Sequence, residues 1–142
     1  MSGKLSVEAR QDIADLLSRY CHRVDSGDAE AWAALFTDDG VFEVPGAIRL
    51  EGTAQLRSMP AIVAEQGGGK WRHQVTNIVA EAGDARDTAT VSAYGALSDW
   101  HGKSGALISF SDYRVTLRQI EGVWRIQSLT AVQAIELAPP QR

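Results

Sequence analysis

The sequence predicts an α+β domain in which helices pack on one face of a curved antiparallel sheet. Apolar residues recur at helical spacing in the N-terminal half, whereas the C-terminal half carries strand-like segments separated by short turns. The length of 142 residues suits one domain, so we expect residues 1–142 to form a single folded unit. Long twisted strands can curl around a helix and leave a cavity at one end. We therefore expect a cone-shaped sheet wrapped around the N-terminal helices.

The first predicted helix covers about residues 6–24. Its apolar residues are spaced three or four positions apart and form one stripe: Ile13, Leu16, Leu17, Tyr20, Cys21 and Val24. Gly27 can adopt the positive φ that ends a helix, and Asp28 can cap the next one. The pattern therefore predicts a helix that buries one face and ends near Asp25.

Two shorter helices and one strand are predicted before the strand-rich half. A helix covers about residues 29–36, and a turn at 37–40 leads into a strand at 41–44. A third helix covers about residues 52–65, and Pro60 must interrupt it or end part of it. The helical segments thus come first in the chain.

Four longer strands are predicted at about residues 71–82, 89–97, 106–119 and 123–135. Short turns separate them, so neighbouring strands are expected to pair antiparallel. Gly67, Gly68 and Gly69 precede the first of these strands and are expected to form a mobile lip of a pocket.

Composition and charge argue against several classes of partner. The formal net charge is −4 and the basic residues are scattered, which disfavours nucleic acid. No apolar run approaches the roughly 20 residues of a membrane span, and the first residues lack the apolar core of a signal peptide. Cys21 is the single cysteine, so no intramolecular disulfide is possible. We therefore expect a cytoplasmic protein with neither a membrane nor a nucleic-acid partner.

Three polar side chains beside core positions are candidates for chemistry: Tyr20, Asp25 and His73. A carboxylate that accepts a hydrogen bond from one imidazole nitrogen leaves the other nitrogen as a base near neutral pH. Tyr20 could donate a hydrogen bond to a substrate oxygen as charge develops there. The alternatives are that Asp25 only ends a helix, that His73 is an ordinary core or surface histidine, and that Tyr20 only packs.

Aromatic side chains are expected to line the core or a pocket: Trp32, Phe36, Phe42, Trp71 and Trp100. Tyr94 and the carboxyl group of Asp99 are assigned to the same pocket. An aromatic lining suits a small hydrophobic, ring-bearing substrate. No HxxxH or CxxC spacing occurs, so the sequence predicts no metal ligands, and we expect no cofactor.

The sequence resembles the SnoaL-like family, which belongs to the superfamily of nuclear transport factor 2, ketosteroid isomerase and scytalone dehydratase. The resemblance is carried by Leu16-Leu17-x-x-Tyr20-x-x-x-Val24-Asp25-x-Gly27-Asp28, by Trp32-x-x-Leu35-Phe36-x-x-Asp39-Gly40 and by Gly122-Val123-Trp124-Arg125-Ile126. It covers residues 6–132 and implies a cystatin-like α+β barrel. The resemblance specifies the fold but not the reaction, because members of the family catalyse many different reactions.

Within this family the sequence is most similar to a branch of dehydratases and a dehydrochlorinase. Those enzymes use an Asp after the first helix and a His on the strand after the third helix, and Asp25 and His73 match both positions. Tyr20 matches a tyrosine that orients substrate oxygen. Leu129 stands where two of the enzymes carry an arginine, and it is assigned to the substrate pocket. The resemblance implies a cofactor-free, dehydratase-like lyase that abstracts a proton and eliminates a leaving group.

Several alternatives stay open. The same Asp–His pair would serve an isomerase, a polyketide cyclase or a retro-aldol lyase. The fold also occurs as the non-catalytic small subunit of ring-hydroxylating dioxygenases and as a binding module. For the enzyme we expect a homodimer or homotrimer, assembled through a sheet face near Tyr113, Val115 and Ile126.

Overall fold

The computed structural model describes residues 3–136. Its helices are α1 (Val7–Ser26), α2 (Ala29–Ala33), α3 (Thr53–Leu56) and α4 (Ser58–Gly67). Ser6 caps α1 by accepting the N–H of Ala9, and Gly27 ends the helix with a φ of 78°. The Asp28 carboxylate then accepts the N–H of Ala31 and caps α2. The predicted boundary between the first two helices is confirmed.

One curved sheet holds β1 (Phe36–Val44), β2 (Ile48–Glu51), β3 (Trp71–Ala82), β4 (Thr88–Asp99), β5 (Ala106–Ile120) and β6 (Val123–Glu136). Their spatial order is β2-β1-β6-β5-β4-β3. Strands β3 to β6 pair antiparallel as predicted, whereas β1 lies parallel to β6. The α+β fold class predicted from the sequence is confirmed.

The segment around Phe36 differs from the prediction. Helix α2 ends at Ala33, and β1 begins at Phe36 and runs through the predicted turn at 37–40. The cause is tertiary: Phe36 is the register partner of Ile126, and the N–H of Ile126 donates to the carbonyl of Leu35. Pairing with a distant strand outweighs the local helical pattern.

The region after β1 also differs in detail. The short strand β2, which the sequence pattern did not reveal, pairs antiparallel with β1. The predicted helix at 52–65 is two helices, α3 and α4. Pro60 is the third residue of α4, where a missing backbone N–H costs no helical hydrogen bond. Proline is therefore compatible with the first turn of α4.

The core lies between the helices and the concave face of the sheet. All six predicted stripe residues of α1 are buried. Tyr113, Val115 and Ile126 are buried against the helices too, with at most 6% exposure, so the expected oligomer surface at these residues was wrong. Alternation along β5 turns Arg114 and Thr116 to the outer face instead.

None of the helices within residues 3–136 combines the length and the hydrophobicity that a membrane-spanning helix requires.

Candidate active site

Asp25 and His73 meet where the end of α1 crosses β3. The Asp25 Oδ1 atom lies 2.7 Å from His73 Nδ1, and the backbone N–H of His73 donates to Asp25 Oδ2 at 2.9 Å. Each side chain is only 10% exposed. One carboxylate thus holds one histidine through both its ring and its backbone, which fixes the position of the imidazole.

The place of this contact in the sheet explains its geometry. Strand β3 is an edge strand, so some of its backbone N–H groups have no neighbouring strand to pair with. Asp25 accepts the N–H of His73, and Cys21, one helical turn earlier, accepts a hydrogen bond from the backbone of Val75. The last two turns of α1 therefore cover part of the edge of β3.

A cleft of about 580 Å³ opens at this edge. Its lining comes from the end of α1 and from β3 and β4: Cys21, His22, Asp25, Ser26, Arg72, His73, Gln74, Ser98 and Trp100. Besides Asp25 and His73, five of these nine residues have side chains that carry a charge, a hydroxyl group, an amide or an imidazole. The site is a cleft at the sheet edge, lined mostly by residues with polar side chains, whereas the sequence had suggested a pocket lined by aromatic rings.

Tyr20 lies in the core and does not line the cleft. It is 2% exposed, and its ring centroid lies 5.7 Å from that of Trp32 and 6.1 Å from that of Tyr113. Burial raises the pKa of Tyr20 well above its usual value, and a hydrogen bond with the Tyr113 side chain raises it further. The neutral phenol is therefore strongly favoured at this position.

Tyr113 is the aromatic neighbour of Tyr20 that the sequence analysis placed on a surface. Burial raises the pKa of Tyr113 to about 12, and Asp25 contributes to this rise. The ring occupies the space above Gly95, where any side chain would collide with it. The alternation along β5 was the sequence signal for its inward orientation, and the direction of that face was misjudged.

Four residues assigned to the pocket pack in the core instead: Trp32, Phe36, Phe42 and Leu129. Each is at most 3% exposed, and none lines the cleft. The Trp32 ring centroid lies 4.8 Å from that of Phe36 and 5.8 Å from that of Phe42. These rings fill the interior of the cone, because burying aromatic surface stabilises the fold more than leaving the space open to water.

The remaining pocket assignments are divided between the rim and the outer face. Trp71 is half-buried against Gly67 and lies opposite Asp99 in the register of β3 and β4. Asp99 binds both the imidazole and the backbone N–H of His101, beside a second cavity of about 670 Å³. Tyr94 is 43% exposed on the outer face, so its assignment to the pocket was wrong.

The three glycines at 67–69 are tied into structure. Gly67 is the last residue of α4 and contacts Trp71, and Gly68 caps the helix with a φ of 56°. The imidazole of His101 lies against Gly68, and the carbonyl of Gly69 accepts a hydrogen bond from Arg72. Among residues 3–136, no three His, Cys, Asp or Glu side chains are grouped to hold a metal ion.

Solved structures of cystatin-like fold align with nearly the whole chain. The chain aligns with a nuclear transport factor 2-like protein of cystatin-like fold from Novosphingobium aromaticivorans at a TM-score of 0.80 and 24% identity, over 93% of this chain and 86% of that one. A protein of unknown function from Mycobacterium tuberculosis aligns at a TM-score of 0.80 and 26% identity, over 93% and 80% of the two chains. A candidate aromatic ring hydroxylase from N. aromaticivorans aligns at 0.78 and 25%, over 95% of each chain.

The family follows from the sequence itself. Residues 5–130 match the SnoaL-like domain, and the chain belongs to this family. No protein of curated function was found to match the chain.

Proposed function

We propose that this protein is a cofactor-free lyase that removes a proton from a substrate carbon and eliminates a leaving group from the adjacent carbon. The observation that carries the proposal is the two-point contact of Asp25 with His73 beside a cleft. The SnoaL-like family includes enzymes such as polyketide cyclases, which makes catalysis a reasonable expectation for its members.

The proposed base is the Nε2 atom of His73. Because Asp25 accepts the Nδ1 proton, the lone pair stays on Nε2, and the carboxylate stabilises the imidazolium that forms. The proton passes from the substrate carbon to Nε2, and the electron pair of the broken C–H bond forms the new double bond. The leaving group departs with its bonding electrons and takes the proton back from the imidazolium, as water if it is a hydroxyl group.

Tyr20 has a positioning role in this proposal. Its ring is buried beside Trp32 and Tyr113, and it is outside the lining of the cleft. It lies one turn before Asp25 on α1, and the negative charge of Asp25 contributes to its raised pKa. In this proposal the packing of Tyr20 fixes the end of α1 and thereby the position of Asp25.

Proton abstraction is tested by hydrogen exchange in D₂O. The full-length protein is incubated with cyclic β-hydroxy ketones, and mass spectrometry follows deuterium uptake and loss of water. We expect His73→Ala to remove both, while His22→Ala, which changes the other histidine of the cleft, retains both. Equal exchange in wild-type protein and His73→Ala would eliminate the proposed mechanism.

Product mass separates the alternatives that use the same pair. Dehydration loses water, isomerisation and cyclisation without dehydration conserve mass, and retro-aldol cleavage splits the substrate in two. All require the same base, so these outcomes decide the reaction and leave the role of His73 in place.

A second candidate is a non-catalytic subunit of a ring-hydroxylating oxygenase. Its support is the similarity to the candidate aromatic ring hydroxylase. This function predicts a stable complex with an iron–sulfur oxygenase subunit and full function of that complex after His73→Ala. The enzyme proposal predicts loss of turnover in the same variant.

A further inference from the structure

One wall of the cleft is a rigid aromatic surface formed by Trp100. The residue is 53% exposed, yet its Nε1 atom donates to the Ser98 hydroxyl at 2.9 Å and its backbone N–H donates to the Lys70 carbonyl at 2.9 Å. Its six-membered ring lies against Gly105, where a Cβ would be only 2.7 Å away. A ring held at both ends can stack on a ligand with little loss of side-chain entropy.

Arg72 also lines the cleft, and it is the register partner of Ser98, the residue whose hydroxyl group accepts the hydrogen bond of Trp100. Its NH1 group donates to the carbonyls of Gly69 at 3.0 Å and Trp71 at 2.7 Å. No ion pair formed within residues 3–136 includes Arg72, and it is the one Lys or Arg among the described residues that line the cleft. Its positive charge is therefore not balanced by a carboxylate.

The other charged groups of the described lining do not neutralise Arg72. Asp25 is the one carboxylate in the described lining, and His73 occupies both of its oxygens. Ser26, Gln74 and Ser98 add neutral hydrogen-bonding groups. A planar guanidinium binds a carboxylate through two parallel hydrogen bonds, and an adjacent indole face favours a flat ligand.

We propose that the cleft selects a planar, ring-bearing carboxylate, which Arg72 binds by its charge and Trp100 by stacking. The inference rests on the proposed function, because a carboxylate bound by Arg72 would be a substrate only if His73 is the catalytic base of the same cleft. The carboxylate serves recognition, whereas a different carbonyl or the ring itself acidifies the C–H bond. Arg72 is thus a specificity-determining residue, and the substrate is more polar than the hydrophobic ring expected from the sequence.

Binding of two matched probes tests this inference without turnover. Benzoate and benzamide have the same shape and differ in charge, and each is titrated into the full-length protein while NMR records the indole N–H signals. Trp100→Phe identifies the signal of Trp100. We expect benzoate to shift this signal and to bind about tenfold or more tightly than benzamide. Inorganic phosphate, which cannot stack, should bind more weakly than benzoate.

Substitution of the arginine provides the control. Arg72→Gln should remove the preference for benzoate, and Arg72→Lys should retain part of it. Arg114→Gln, which removes an exposed arginine of the outer face, should change nothing. Equal binding of both probes, no benzoate binding, or an equal effect of Arg114→Gln would each overturn the inference. If one of these results is obtained while the wild-type protein still catalyses deuterium exchange that depends on His73, only the substrate inference fails. The two proposals can therefore be refuted independently.

Discussion

Asp25 holds His73 through both carboxylate oxygens, although 48 positions separate the two residues in the chain. One oxygen accepts the backbone N–H of the histidine, and the other lies against its ring nitrogen. The same carboxylate therefore covers an open sheet edge and orients an imidazole. Substitution of Asp25 should therefore affect both the stability of the fold and the rate of the proposed reaction.

Asp25→Asn should reduce turnover by about 10²-fold or more, because the amide nitrogen cannot accept a hydrogen bond and one of the two contacts is lost. We also expect about 1–3 kcal/mol of destabilisation from the donor left without a partner. Initial rates and urea unfolding measure the two effects. Asp28→Asn is the matched control, since asparagine caps a helix as well as aspartate. Unchanged turnover in Asp25→Asn would contradict the proposed mechanism.

Tyr20→Phe should affect stability more clearly than catalysis. The substitution keeps the buried ring and removes the hydroxyl group that bonds with Tyr113, at a cost of about 1 kcal/mol. The loss in kcat should stay well below the roughly 10²–10³-fold that follows removal of a donor to a developing oxyanion. A larger loss of kcat in a stably folded variant would show that Tyr20 contacts the substrate.

Gly95→Ala should destabilise the fold by about 1–3 kcal/mol or more, because the new methyl group would collide with the buried ring of Tyr113. Gly102→Ala is the control, since a Cβ there would meet nothing closer than 3.6 Å. Thermal or urea unfolding compares the two variants. Equal stability would mean that the Tyr113 ring does not lie against Gly95.

Stability should fall as the pH rises from about 9 to 12. Burial raises the pKa of Cys21 from 9.0 to about 12, and it raises the pKa of Tyr113 from 10.0 to about 12. Well below pH 9 both groups keep their protons in the folded and unfolded states. Above it the unfolded chain loses protons that the folded chain retains, so the unfolded state is favoured.

Substitution of Cys21 isolates one of these groups. Cys21→Ala should make the decline shallower by up to about 1.4 kcal/mol per pH unit over part of that range. Urea midpoints measured at several pH values test this, and Ser18→Ala, on the exposed face of α1, serves as the control. An unchanged slope in Cys21→Ala would mean that the thiol is not protected by burial.

The elements predicted correctly are those with strong local patterns. The stripe of α1 has a clear period, and Gly27 and Asp28 mark the helix boundary through their own backbone and side-chain chemistry. The strand from Trp71 to Ala82 has the predicted bounds, and the three strands after it follow through short turns. These features depend on residues a few positions apart, so periodicity and turn chemistry suffice to find them.

The positions that were misjudged depend on long-range contacts. Phe36 reads locally as the end of a helix and becomes a strand because it pairs with Ile126. The sequence positions of the aromatic residues assigned to a pocket do not distinguish rings that pack against each other from rings that surround a ligand. Arg72 and Trp100 are held by backbone carbonyls, a hydroxyl group and a glycine, and no spacing in the sequence indicates those contacts.

The sequence by itself determined the fold class, the family and the pair of residues most worth testing. Only the tertiary structure decided where the cleft opens, which aromatic rings are core and which charged side chains line the cleft. The physical reason is the range of the interactions involved. Helix periodicity, caps and turns arise between near neighbours, whereas a cleft is formed by elements that approach each other only when the whole chain is folded.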